Sequence, residues 1–85
     1  MSETPECIVY CRPWCGDCRA ALRWLGDMGY DYTEIDIDAD PVARARCVEL
    51  AGKVVTPTFE IGEASIVGFD PRALRDALGG ATPKA

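Results

Sequence analysis

Two cysteines three residues apart, Cys15 and Cys18, fall at the joint between a short continuous apolar run and an amphipathic one. The first run, Cys7-Ile8-Val9-Tyr10-Cys11, carries no polar interruption, the pattern of a strand buried on both faces in a parallel or mixed sheet. Arg12-Pro13-Trp14 ends it. From about Gly16 to Met28 the period changes to that of a helix. Cys18, Ala21, Leu22 and Leu25 fall at i, i+3, i+4 and i+7, while Arg19, Arg23 and Asp27 lie along a separate, solvent-facing line. Gly29 supplies the stop. A strand covered on both sides requires layers above and below it, and 85 residues suffice for one such layered domain, with a core of about residues 6–80.

The remaining punctuation fills in the order. Thr33, Ile35 and Ile37 alternate with Glu34, Asp36 and Asp38, the period of a half-exposed strand. Asp40-Pro41 is an N-cap followed by proline at the first helical position, and a second helix runs to about Ala51 and stops at Gly52, burying Ala43, Cys47, Leu50 and Ala51. Thr58 to Ile61 and Ala64 to Val67, joined at Gly62-Glu63, are spaced as a hairpin. Asp70-Pro71 repeats the cap, Leu74 and Leu78 give the third helix its apolar side, and Gly79-Gly80 stops it before a loose tail. The expected fold is α/β in the order βαβαββα: one mixed four-stranded sheet with helices on both faces, the first two strands parallel and the last two a hairpin.

Composition narrows the chemistry. The net charge is −5 and there is no histidine, which argues against nucleic acid as the main partner and removes the commonest general base and metal ligand. No apolar run approaches the ~20 residues of a membrane helix, and the first six residues lack the basic and apolar regions of a secretory signal. The expected setting is therefore the cytoplasm, with no membrane partner and a monomeric state. Five cysteines are an odd number for a structural disulfide framework. A C-x2-C pair could be half of a zinc site, but no second pair follows, and Cys7 and Cys11 lie roughly 13 Å apart on an extended strand at ~3.3 Å per residue. No metal is expected. Placed where a strand runs into a helix, the pair instead meets unpaired N–H groups and the positive end of the helix dipole, both of which favour a thiolate. Cys15 at the cap is expected to be exposed, with a lowered pKa, and to act as the nucleophile. Cys18, one turn in and on the buried stripe, is expected to resolve the mixed disulfide formed on Cys15.

Thr56-Pro57 stands just before a strand and well after this pair. With Tyr10 to Trp14 before Cys15, Thr56-Pro57-Thr58, and Gly68-Phe69-Asp70 opening the last helix, the chain resembles the glutaredoxins over about residues 6 to 80. It is also similar to mycoredoxins and to the glutaredoxin-like hydrogen donors of ribonucleotide reductase. The resemblance implies a thioredoxin-type fold in which Pro57 is cis and faces the disulfide. It further implies that Thr56 offers its backbone to the cysteinyl unit of glutathione and that Arg12 binds one glutathione carboxylate. Gly68, Phe69 and Asp70 would hold the other carboxylate. Trp14 itself reads either as a ring that stacks on substrate beside the disulfide or as a cover for the sheet end. Three positions depart from the family pattern: Val67 replaces the first glycine before the last helix, Pro71 the second aspartate, and Asp17 the tyrosine between the cysteines. Arg12 and Arg19 are expected to offset the charge of Asp17.

The implied function is thiol–disulfide oxidoreduction on disulfide-containing client proteins or glutathione mixed disulfides, with no obligatory cofactor. Glutathione or another low-molecular-weight thiol would be the reductant. Two alternatives are a hydrogen donor reduced directly by a flavoprotein, thioredoxin reductase, and a [2Fe–2S] carrier using Cys15 and glutathione. Cys18 weighs against the carrier, because a resolving thiol competes for the cluster ligand. Cys11 reads first as a small apolar residue at a strand end, and second as another redox thiol. Cys7, Cys47 and Trp24 read as core, as does Tyr10, whose hydroxyl is within conceivable reach of the site. Asp36, Asp38 and Asp40 lack the glycine and terminal acid of a calcium loop and read as a solvated strand end. Arg44, Arg46, Arg72 and Arg75 read as helix surface.

Overall fold

In the computed structural model, which describes residues 5–79, β1 (Cys7–Cys11) is the strand on which the others are hung. It is followed by α1 (Gly16–Asp27), β2 (Thr33–Asp36), α2 (Pro41–Ala51), β3 (Thr58–Ile61), β4 (Ala64–Val67) and α3 (Pro71–Ala77). Strand order in the sheet is β2-β1-β3-β4. β1 pairs with β2 in parallel, Ile8 opposite Thr33 and Cys11 opposite Asp36, and with β3 antiparallel, Val9 opposite Phe59. β3 and β4 form the expected hairpin. The expected loose tail, residues 80–85 including Gly80 of the stop signal, lies outside the described residues, as do residues 1–4.

The alternation along β1 divides the interior in two. Cys7, Val9 and Cys11 face α1 and α3, packing with Ala21, Leu25, Phe59, Ile61, Leu74 and Leu78. Ile8 and Tyr10 face the other way, toward Ile37 and the α2 residues Ala43 and Cys47. Helices thus cover both faces, because an uninterrupted apolar strand leaves neither face fit for water. Their starts follow the Asp-Pro signals. Asp40 Oδ1 accepts from the N–H groups of Val42 and Ala43, both at 3.1 Å, and Asp70 Oδ1 from that of Ala73 at 3.2 Å. α2 ends where Gly52 takes φ +85° and donates to Val48 O at 2.7 Å, a left-handed closure that suits a residue without Cβ.

Small departures from expectation have local causes. α1 closes at Asp27, with Met28 as its cap. β2 closes at Asp36, yet Ile37 just beyond it is buried because its N–H donates to Cys11 O at 2.9 Å. On α2 the fully buried stripe is Ala43 and Cys47, while Leu50 and Ala51 at the end of the helix are half-covered. Tyr10 is core, as expected, but its side chain lies on the α2 face, away from the cysteine pair, and its hydroxyl donates to Glu60 Oε1 at 2.7 Å instead of reaching the site. Burial and that carboxylate push the phenol up to about 12. Glu60 also receives Arg46 Nη2 at 2.7 Å, tying α2 to β3.

Replacing Phe59, fully buried at the centre of β3, by alanine is expected to cost about 3–5 kcal/mol of stability. Asp40→Ala should cost about 1 kcal/mol through the lost cap. Urea unfolding of both variants beside the parent checks the order and the sizes. Arg46 and Tyr10 hold Glu60 below its ordinary 4.5, so the stability it contributes is present above pH 4.5 and lost as pH falls through the lowered value. Glu60→Gln should therefore flatten the acid limb of a stability–pH profile; an unchanged limb would show that Glu60 does not shape it.

Candidate active site

Cys15 is built into the start of α1 as its N-cap. Extended backbone at φ −83° and ψ 114° brings its sulfur back over the first turn, where it accepts the N–H of Cys18 at 3.3 Å. A turn closed by Cys15 N–H on Arg12 O at 3.1 Å links this cap to the end of β1. From across the fold Thr56 meets the same sulfur. The Cys15 thiol donates to Thr56 O at 3.5 Å, and the peptide bond from Thr56 to Pro57 is cis, as the resemblance implies. Gly68 N–H donates to Pro57 O at 2.8 Å, so the segment leading into α3 is fastened to the back of this loop. Gly68 takes φ +85° there, a conformation that side chains disfavour.

The two sulfurs differ in depth and in ionisation. Cys18 is 2% exposed, and Cys15 only 9%, which corrects the expectation of an open nucleophile: Thr56 and the first turn of α1 leave it a narrow aspect to solvent. Burial is the largest single influence on Cys15 and pushes its thiol up. It is outweighed by the side chains of Thr56 and Cys18 and the backbone N–H groups of Cys18 and Asp17, which together hold Cys15 below its ordinary 9.0. Cys18 is shifted the opposite way, raised by burial and by Cys15, against a lowering from Arg12 N–H and the Cys11 thiol. One thiol of the pair is thus the acid and the other its donor.

Around this centre the other expected site residues take varied positions. Trp14 is 69% exposed beside Cys15, with the Arg12 guanidinium 5.3 Å from its ring centroid. Arg12 itself is engaged: its Nε donates to Asp38 Oδ1 at 3.0 Å. Arg19 Nη2 donates to Pro13 O at 2.9 Å, so both arginines expected to offset the charge of Asp17 are engaged elsewhere. Asp70 caps α3 with one carboxylate oxygen. The Phe69 ring stands edge-on to Trp24, centroids 6.2 Å apart, and serves packing rather than the cleft. Trp24 also leans on Tyr30 at 6.1 Å and packs half-buried against the core, beside the buried stripe of α1.

Sequence reasoning overlooked two contributors. The Thr56 side chain acts on the Cys15 sulfur in addition to its backbone, and threonine before the cis proline was the available signal. Asp38 holds Arg12, and nothing local in an acidic run announces a partner 26 residues away.

Comparison with known proteins agrees with this geometry. The family model described as Glutaredoxin matches residues 7–66. A glutaredoxin of Pseudomonas aeruginosa is 35% identical over 66 residues, covering 78% of this chain and 79% of its own. The crystal structure of a glutaredoxin from Methanosarcina mazei superposes with a TM-score of 0.82 at 27% identity, covering 88% of this chain and 79% of that one. The glutaredoxin-like NrdH-redoxin of Escherichia coli, described as having a thioredoxin-like activity profile, superposes at 0.74 with 28% identity, over 84% and 92% of the two chains.

Because Cys15 is held below 9.0, its alkylation by iodoacetamide should stay fast below that pH and fall off only as pH drops through the lowered value. Thr56→Val removes the hydroxyl, and one net hydrogen bond of about 1 kcal/mol less lowers the thiolate fraction roughly fivefold on the limb below the midpoint; with nucleophilicity rising by a Brønsted slope of about 0.4–0.5, alkylation there should slow about two- to threefold. A pH–rate profile for both proteins, with the labelled peptide identified by mass, checks the site and the direction together.

Proposed function

The chain belongs to the glutaredoxin family, and on that basis we propose that it is a dithiol thiol–disulfide oxidoreductase acting through Cys15 and Cys18. The observation that carries this reading is the contrast at the start of α1, where a capped thiol of lowered pKa sits in front of a buried thiol of raised pKa. Cys15 as thiolate attacks one sulfur of a substrate disulfide; the S–S bond breaks and the departing half leaves as a thiol. Cys18 then attacks Cys15 Sγ, a Cys15–Cys18 disulfide forms, and the second half leaves reduced. Two electrons pass from the cysteine pair to the substrate, and no metal or organic cofactor takes part.

Glutathione or another small thiol restores the dithiol in this scheme. Thr56 offers backbone groups beside Cys15, Pro57 shapes that wall, and Trp14 gives an exposed aromatic face. Gly68, Phe69 and Asp70 contribute backbone at the mouth of α3. Arg12 supplies a guanidinium that a glutathione carboxylate must win from Asp38.

That competition supports a second reading, in which a flavoprotein reductase delivers electrons directly. The same direction is suggested by Val67 and Pro71, which stand where the family carries polar or unhindered groups, and by the likeness to a redoxin with a thioredoxin-like profile.

The deciding experiment is turnover of a glutathionylated substrate with glutathione, glutathione reductase and NADPH, run beside thioredoxin reductase and NADPH. Activity in the first arm establishes the glutathione reading and activity only in the second replaces it with the hydrogen-donor one. In either arm Cys15→Ser should reduce turnover to background. Cys18→Ser should abolish reduction of protein disulfides while sparing deglutathionylation, which needs one thiol. Full activity in Cys15→Ser would overturn the assignment of the nucleophile.

A further inference from the structure

A third cysteine stands behind the pair. Cys11 is the last residue of β1, 1% exposed, and its place in the alternation with Cys7 and Val9 turns it toward α1, whose first turn carries Cys18. Cys11 and Cys18 bound the same cavity of about 460 Å³, with Arg12, Pro13, Leu22 and Glu34 among its other walls. Cys7, on the same face of the strand, and Cys47, whose thiol donates to Val55 O at 3.3 Å across the sheet, have no such relation to the pair. We infer that Cys11 is a positioning residue for the resolving step, its S–H donating to the Cys18 sulfur as that sulfur becomes the attacking thiolate.

The need for such a donor follows from the order of events in the proposed exchange, on which this inference rests. While both thiols are free, Cys15 and burial together keep Cys18 protonated. Once Cys15 is in a mixed disulfide its own influence is gone, and Cys18 must ionise in place, away from water. Arg12 N–H and the Cys11 thiol are then the donors that favour the charged form against burial. Cys11 is suited to donating and not to competing, since burial, its foremost influence, keeps its own thiol protonated far above neutral pH. The step balances without it. Cys18 gives its proton up to solvent and, as thiolate, bonds to Cys15 Sγ; the substrate sulfur leaves with the electron pair of the broken S–S bond and takes up a proton from solvent, and the Cys11 proton stays on Cys11.

The mixed disulfide with thionitrobenzoate isolates this step. Reaction with Ellman's reagent forms the adduct on Cys15, and release of the second thionitrobenzoate, read at 412 nm by stopped flow across pH, reports attack by Cys18. Cys11→Val removes the donor and fills its place, with the adjoining cavity taking the extra methyl; Cys11→Ala is a second variant without the donor; Cys11→Ser restores one. Losing one donor to a charged acceptor lowers the thiolate fraction about tenfold below the midpoint. With nucleophilicity rising by a Brønsted slope of about 0.4–0.5, the net loss is about threefold.

The valine and alanine proteins should therefore release about threefold more slowly near neutral pH. At pH above both midpoints they should release about threefold faster, so that the profiles cross. Cys11→Ser should follow the wild type on the low-pH limb. Profiles that coincide, variants slower at every pH, or a serine protein that tracks the valine one overturn the inference. A wild-type protein that forms the adduct but releases no second thionitrobenzoate overturns the dithiol reading itself, a separate result.

Discussion

β1 is hydrogen-bonded along both edges and covered on both faces, and a strand so placed cannot slide. A slip of one residue would send Cys7, Val9 and Cys11 to the α2 side and bring Tyr10, with its hydroxyl, under α1. The pairing with Phe59 on one edge and with Glu34 on the other fixes the register, and the register fixes where the chain leaves the sheet. Four residues later Cys15 caps α1. The position of the reactive sulfur is thus an outcome of sheet pairing, and the short turn from Arg12 to Cys15 transmits it with little slack.

Depth supplies the rest of the chemistry. Burial opposes ionisation of Cys11, Cys15 and Cys18 alike, and what separates them is the number and direction of donors. Cys15 collects donors from the helix start and from Thr56, while Cys11 offers its proton inward. A gradient of acidity is produced along three identical side chains chiefly by burial and donors, since Arg12 is committed to Asp38 and Arg19 to a backbone carbonyl, and the charge of Glu34, felt at Cys11, adds to its rise. An anionic ligand arriving at Trp14 therefore meets a guanidinium that is already neutralised, and its affinity depends on the exchange of one carboxylate for another.

The order and type of every element were legible because each carried its own local signal: an uninterrupted apolar run, an alternating one, two Asp-Pro caps and a two-residue hairpin turn. The cysteine pair was legible as a site because its position on a strand–helix joint is itself local. What escaped was set by contacts distant in sequence. Cys15 reads as exposed from its place at a helix start, and its cover comes from Thr56, 41 residues away. The Arg12–Asp38 pair joins the turn after β1 to the turn after β2, and parallel pairing brings those turns together without a trace in either segment. Tyr10 is a different case. Its burial was legible from the apolar run, whereas the side it takes was not: the two-residue period turns it to the α2 face, where Glu60 accepts its hydroxyl.

The two borders of the sheet are unlike each other. The outer strand β2 and its flanks carry Asp31, Glu34, Asp36 and Asp38, so a second extended chain approaching there meets like charges and a twisted, four-residue rim. β4, at the opposite border, presents Ala64, Ser65, Ile66 and Val67, uncharged throughout and mostly exposed. Within the described residues the molecule is therefore polarised toward strand addition on one side. Under crowding or partial unfolding, self-association would begin at β4, back to back across the hairpin, and leave the acidic β2 border facing outward.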